Sequence, residues 1–177
     1  MRAFCFLLIS LLAISLPAQE EDDPGYLVSI GQLAPDFEMQ LTTGEVLRLY
    51  DMRGKIVMLQ FTASWCGVCR QEMPFIENEI WQPLKTNPHF ALFGIDRDEP
   101  LEKVIWFSEK TQITYPLSLD PGAAIFQLYA EKEAGVTRNV IVGADGRILY
   151  LTRLFNREEF DAMKEVIFEE VAALKGE

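Results

Sequence analysis

An almost unbroken apolar run, Ile56–Val57–Met58–Leu59–Gln60–Phe61, ends just before Trp65–Cys66–Gly67–Val68–Cys69, and this junction constrains the chain more than any other stretch. A run of strand length without polar alternation has the pattern of a strand buried on both faces, as in a parallel sheet. Residues 70 to 81 then show helical spacing in Met73, Ile76 and Ile80, with Pro74 expected to kink the helix. Both cysteines therefore fall in the first turn of a helix that follows a core strand. The amide groups left unpaired there, and the positive end of the helix dipole, stabilise a thiolate on the first cysteine. A thiolate is the attacking species in disulfide exchange. The i, i+3 spacing lets the second thiol reach back and resolve a mixed disulfide. Cys66 reads as the nucleophile and Cys69 as the resolving thiol. A disulfide kept only as a staple is a poor reading, because so short a loop removes little entropy from the unfolded chain.

The N-terminus has the grammar of a secretory signal. Arg2 precedes an apolar run from Phe4 to Leu16, which ends at Leu16–Pro17–Ala18. That run is shorter than the roughly 20 residues of a membrane span, so cleavage is favoured over an uncleaved anchor. Residues 1–18 are assigned to a signal peptide, 19–30 to an acidic flexible leader, and 31–177 to a single domain. The protein is expected to be exported, periplasmic or secreted. Cys5 lies in the discarded peptide, leaving Cys66 and Cys69 with a single histidine, His89. A tetrahedral zinc site lacks ligands in such a set, so no metal and no cofactor is expected. The formal charge of −11 argues against nucleic acid as a partner.

The remaining pattern gives one α/β domain. A strand at residues 37–41, a turn at Thr42–Thr43–Gly44–Glu45 and apolar alternation at Val46, Leu47 and Leu49 form an N-terminal β-hairpin extension. Residues 90–95 form a second buried strand, and apolar residues at 101, 104, 105 and 107 predict a helix. Tyr115–Pro116–Leu117 reads as the start of a loop, and residues 122–129 as a short helix. A hairpin turns at Ala144–Asp145–Gly146–Arg147, and a last helix over 156–174 carries Phe160, Met163, Ile167 and Val171 on one face. The order implies a mixed central sheet with helices on both faces. Trp81 and Trp106 fall within helical patterns and read as packing, and His89 as a surface residue.

Ala34–Pro35–Asp36–Phe37, Arg53–Gly54–Lys55, Trp65 to Cys69, Glu72 with Pro74, and Asp145–Gly146 together resemble the TlpA/ResA-type branch of the thioredoxin superfamily over residues 31–174. The resemblance implies a thioredoxin fold and dithiol–disulfide exchange on exported protein thiols. The direction it implies is reduction, with recharging by a membrane-bound electron donor. Glu72 matches the carboxylate that ResA-type proteins carry three residues after the second cysteine, one helical turn away. It is expected to accept or relay the Cys69 proton. The position of the buried aspartate of cytoplasmic thioredoxins holds Gln60, which cannot ionise. Where the family places a cis-proline opposite the cysteines, this chain has Thr137, in Gly135–Val136–Thr137–Arg138–Asn139. A cis bond before a non-proline residue costs roughly 2.5–4 kcal/mol, so a trans peptide is expected.

Val136 and Thr137 are the expected backbone contacts for an extended substrate, Trp65 the exposed contact beside the nucleophile, and Arg138 a candidate for stabilising the Cys66 thiolate. Two rival readings stand beside this one. A peroxiredoxin-like thiol peroxidase would use Arg138 in a similar way, but would want threonine at position 63, which is alanine. A non-catalytic binding module would keep the fold and lose exchange.

Overall fold

The computed structural model describes residues 25–176. The signal peptide assigned to 1–18 and the leader as far as residue 24 lie outside the described residues. Seven strands form one sheet in the order β2-β1-β5-β4-β3-β6-β7. They are β1 (Glu38–Leu41), β2 (Val46–Arg48), β3 (Ile56–Thr62), β4 (Phe90–Arg97), β5 (Leu117–Asp120), β6 (Arg138–Val142) and β7 (Ile148–Arg153). The central strands β3, β4 and β5 are parallel, while β6 and β7 on one side and β1 and β2 on the other run antiparallel. The helices are α1 (Gly67–Phe75), α2 (Gln82–Leu84), α3 (Leu101–Thr111), α4 (Phe126–Tyr129) and α5 (Arg157–Lys175). This is the expected thioredoxin fold with its hairpin extension.

Alternate residues of a strand face opposite sides of the sheet, and here they build two cores. Val57, Leu59 and Phe61 of β3 join Phe93, Ile95, Phe126 and Tyr129 on one face. Ile56 and Met58 join Met73, Val104, Phe107 and the α5 stripe of Phe160, Met163, Ile167 and Val171 on the other. That stripe is the one predicted from spacing. Asn156 caps α5, its side chain accepting from the Glu158 and Glu159 amides. Past α1 the chain takes a π-helical segment at Ile76–Trp81 before α2. Pro83, at the start of α2, has no N–H to give the Glu79 carbonyl inside that segment, so the regular ladder is broken there.

Two expectations are corrected. Tyr115 and Pro116 are loop, as expected, but from Leu117 the segment becomes strand β5, paired with both β4 and β1. So short a run after Pro116 carries little local signal, and pairing on both edges supplies what propensity does not. Gly94 makes the approach possible, because a β-carbon there would stand 2.3 Å from Leu117 Cδ2 and 3.4 Å from Tyr115 Cε2. The end of the leader, read as flexible, is packed from residue 25. The Tyr26–Ala130 bridge and the Leu27 amide donating to Tyr129 O at 2.9 Å tie it down, and Val28 is buried.

Candidate functional site

The first helical turn after β3 carries the dithiol. Cys66 is the N-cap of α1, with extended φ/ψ of −80° and 107°. Its sulfur accepts the Cys69 amide at 3.1 Å, the donor that a helix start leaves unpaired. Cys66 and Cys69 form a disulfide, the first 7% exposed and the second fully buried. Opposite them, where β6 begins, the Thr137 hydroxyl lies 3.1 Å from Cys66 Sγ and 3.2 Å from Cys69 Sγ. Disulfide sulfurs carry no proton, so the hydroxyl is the donor. After reduction, the same hydroxyl and the Cys69 amide converge on Cys66 Sγ, an arrangement suited to holding a thiolate. Every described peptide bond is trans, that of Thr137 included, as its residue type predicts.

Arg138 is fully buried, but its guanidinium serves the neighbouring part of the fold. It donates to the Gly135 carbonyl at 2.9 Å and lies 4.7 Å over the Tyr26 ring. Successive residues of an extended chain point to opposite sides, and Thr137 takes the side that meets the sulfurs. Val136 is buried in the core cluster that also holds Cys66 and Cys69. The Thr137 carbonyl accepts the Leu154 amide at 3.0 Å.

Glu72 is buried to 2% exposure, one turn beyond Cys69 on α1. Its Oε1 accepts from Asn139 Nδ2 at 2.7 Å, and that amide also donates to Thr152 Oγ1 at 2.8 Å. Burial pushes the Glu72 carboxyl up to about 7, with the Asn139 and Gln60 amides pulling part of the way back. Gln60, on the adjacent strand, accepts the Tyr115 hydroxyl at 2.6 Å. One turn beyond Cys69 on α1, the chain thus carries a buried carboxyl that changes protonation near neutrality.

A second carboxyl group was not foreseen. Asp96, which in sequence only closes a strand, is fully buried, and no N–H or O–H donor among the described residues reaches its oxygens, so its hydrogen-bonding neighbour is the Glu99 carboxylate, to which it can donate only when protonated. Burial pushes it up to about 8, reinforced by the negative charges of Glu99 and Asp120. Glu99 in turn takes both donors of Ser64, the amide at 2.5 Å and the hydroxyl at 2.6 Å. Ser64 lies two residues before Cys66, so this pair underpins the loop that presents the nucleophile. Trp65 is 61% exposed beside it. Among the described residues, no group of three or more His, Cys, Asp or Glu side chains is placed to hold a metal ion, and no helix is long and apolar enough to cross a membrane.

Residues 30–151 match the model of the AhpC/TSA family. Thiol-disulfide oxidoreductase ResA of Geobacillus thermodenitrificans is 33% identical over 102 residues, which cover 58% of this chain and 58% of that protein. The chain therefore spans somewhat over half the length of that relative. ResA of Bacillus cereus (strain ZK / E33L) is 28% identical over 122 residues, 69% of this chain and 68% of that one. Among solved structures, a putative protein disulfide isomerase from Bacteroides thetaiotaomicron is 59% identical with a TM-score of 0.82, covering 84% of this chain and 93% of that one. A putative thiol:disulfide interchange protein DsbE from Chlorobium tepidum is 26% identical with a TM-score of 0.67, covering 83% and 98%.

Proposed function

Because the chain belongs to the AhpC/TSA family, as a thioredoxin-like protein of the TlpA/ResA type, we propose that it is a thiol–disulfide oxidoreductase that reduces disulfides in exported proteins. The observation that carries dithiol–disulfide exchange is the convergence of the Cys69 amide and the Thr137 hydroxyl on Cys66 Sγ; the direction, reduction, is taken from the likeness to ResA. In the reduced protein, the Cys66 thiolate attacks one sulfur of a partner disulfide. The partner S–S bond breaks, a mixed disulfide forms, and the released partner thiolate takes a proton from solvent. Cys69 gives its proton to the Glu72 carboxylate and attacks Cys66 Sγ, expelling the second partner thiolate, which takes a proton from solvent as the first did. Two electrons have passed to the partner, which leaves as a dithiol, and the Cys66–Cys69 disulfide is restored.

Trp65 contacts the partner beside the attacked sulfur. The extended partner chain pairs at Val136, since the Thr137 carbonyl is already taken by Leu154. A membrane-bound dithiol donor recharges the protein outside the cytoplasm, where the N-terminal signal pattern would send it. The peroxidase alternative calls for a cation over Cys66, whereas the Arg138 guanidinium is directed at Gly135 and Tyr26.

Equilibration with glutathione or dithiothreitol tests the reading on wild type and Cys66→Ser. A reversible two-electron couple near or below about −250 mV, absent from the variant, supports a reductant. A value near −120 to −180 mV would mark an oxidant or isomerase and reverse the direction. Peroxide turnover without a reversible couple would replace the reading with a peroxidase.

A further inference from the structure

The helix α3 buries Val104 and Phe107 and turns Trp106 outward, where it is 45% exposed. Trp106 therefore does not pack into the core as its helical spacing suggested. Together with Trp65 it lines an open groove of about 670 Å³ that begins beside the nucleophile. Two indoles exposed on one groove next to a reactive disulfide form an apolar surface of the kind that marks an interaction site. The polar lining is lopsided, with Asp98, Glu99 and Glu102 against Lys103 alone. Two of these carboxylates are held in place by backbone donors. Asp98 Oδ1 accepts the Gly122 amide at 2.7 Å, and Glu99 accepts the Ser64 amide at 2.5 Å. The nearby Arg70 lies outside the lining and donates to the Ser64 carbonyl at 2.6 Å.

We propose that this groove selects substrates whose disulfide is flanked by a lysine or arginine, whose cation stacks on the Trp65 ring and pairs with Asp98 and Glu102. The proposal rests on the thiol–disulfide reading above and adds the class of segment it acts on. The protein already contains an intramolecular version of the contact, since Lys103 Nζ lies 4.4 Å over the Trp106 ring. An indole face attracts a cation through its quadrupole. Trp65 offers an exposed indole closer in sequence to the nucleophile, with carboxylates in the same groove. The net charge of −11 favours approach of a cationic segment and disfavours a second copy of this chain as the occupant.

The test uses two synthetic peptides with the same intramolecular disulfide, one with arginine and one with glutamate beside the cysteine. The reduced full-length protein should reduce the arginine peptide about tenfold faster in kcat/KM at low salt, with the difference collapsing near 1 M salt. In the Asp98→Lys, Glu102→Lys double variant the ratio of the two rates should invert. Equal rates in the wild type, or a preference untouched by the double variant, would overturn the groove and leave the reductase reading standing. Serine-for-cysteine versions of both peptides, titrated by tryptophan fluorescence, separate binding from chemistry. Preferential binding of the arginine peptide without turnover of either disulfide peptide would keep the groove and remove the redox reading. Fluorescence that changes with protein concentration, alongside a dimer in sedimentation and equal binding of both peptides, would assign the groove to a second copy and overturn the proposal.

Discussion

The hydroxyl of Thr137 stands 3.1 Å from the sulfur of Cys66, although 71 residues separate them in the chain. It occupies the place where the resemblance to the TlpA/ResA type implies a proline, which has no donor to offer. The chain thereby exchanges a rigid imino acid for a hydrogen-bond donor aimed at the reactive sulfur. That donor favours the thiolate, and so the reduced form of the couple.

Replacing Thr137 with valine keeps the shape and removes the donor. A hydrogen bond to a charged group contributes about 1.5–3 kcal/mol, so the Cys66 thiol is expected to rise by about one pKa unit. Alkylation by iodoacetamide near pH 6 should slow about tenfold, and the potential should fall by about 30 mV, since stabilisation of the reduced form is lost. Thr137→Ser should restore both. An unchanged alkylation profile in the valine variant would show that the hydroxyl does not reach the thiolate.

Parts of this arrangement are legible in the amino-acid sequence alone. The β3–α1 junction and the α5 stripe follow from local pattern, because a buried strand and an amphipathic helix repeat their signal every few residues. Strand β5 was not legible, because the four residues Leu117–Asp120 that follow Pro116 are too short a run to carry a strand signal, and its stability comes from β1 and β4 on either edge. Glu72 could be named from its position, yet its burial depends on Asn139 and Gln60, which come from two other strands. Trp106 misled because α3 has apolar residues at 101, 104, 105 and 107, of which only Val104 and Phe107 are buried. The contact of Thr137 with both sulfurs, and the burial of Asp96 between β3 and β5, arise only when distant strands meet.

Glu72→Gln tests the proton relay. The wild-type carboxyl, raised to about 7 chiefly by burial, is ionised and able to accept the Cys69 proton only as pH climbs through that value. Resolution of the mixed disulfide should therefore accelerate between about pH 6 and 8, and in the glutamine variant it should be about a hundredfold slower and lose this inflection. Stopped-flow measurement of resolution against pH checks both. An inflection that survives the substitution would assign the base elsewhere.

Gly94→Ala tests how the sheet positions the site. A methyl group 2.3 Å from Leu117 Cδ2 must displace β5 or its side chains, at a cost of about 1–3 kcal/mol. The Tyr115 hydroxyl, which donates to Gln60 at 2.6 Å, would shift with it. A lower urea midpoint with an unchanged slope is the expected result. No loss of stability would mean that β5 adapts without strain.

Asp96 connects stability to pH in a direction that can be worked out in advance. Its carboxyl is raised from the ordinary 3.8 to about 8, first by burial and then by Glu99 and Asp120, so the folded state holds a proton that the unfolded chain has released. The stability this gives is complete below about pH 4 and is lost progressively as pH rises to about 8. Glu72 adds a loss of the same sign between its ordinary 4.5 and about 7. Together they predict a protein several kcal/mol less stable at pH 8.5 than at pH 5, measurable as a fall in the urea midpoint. Asp96→Asn, which imitates the neutral acid, should flatten much of that slope and be more stable than wild type at pH 8.5. Glu99 keeps its hold on the Ser64 amide and hydroxyl in either case, so the gain should come without loosening the loop before Cys66. A variant that is destabilised equally at both pH values would show that Asp96 is held by contacts requiring its charge, and the protonated Asp96 would have to be given up.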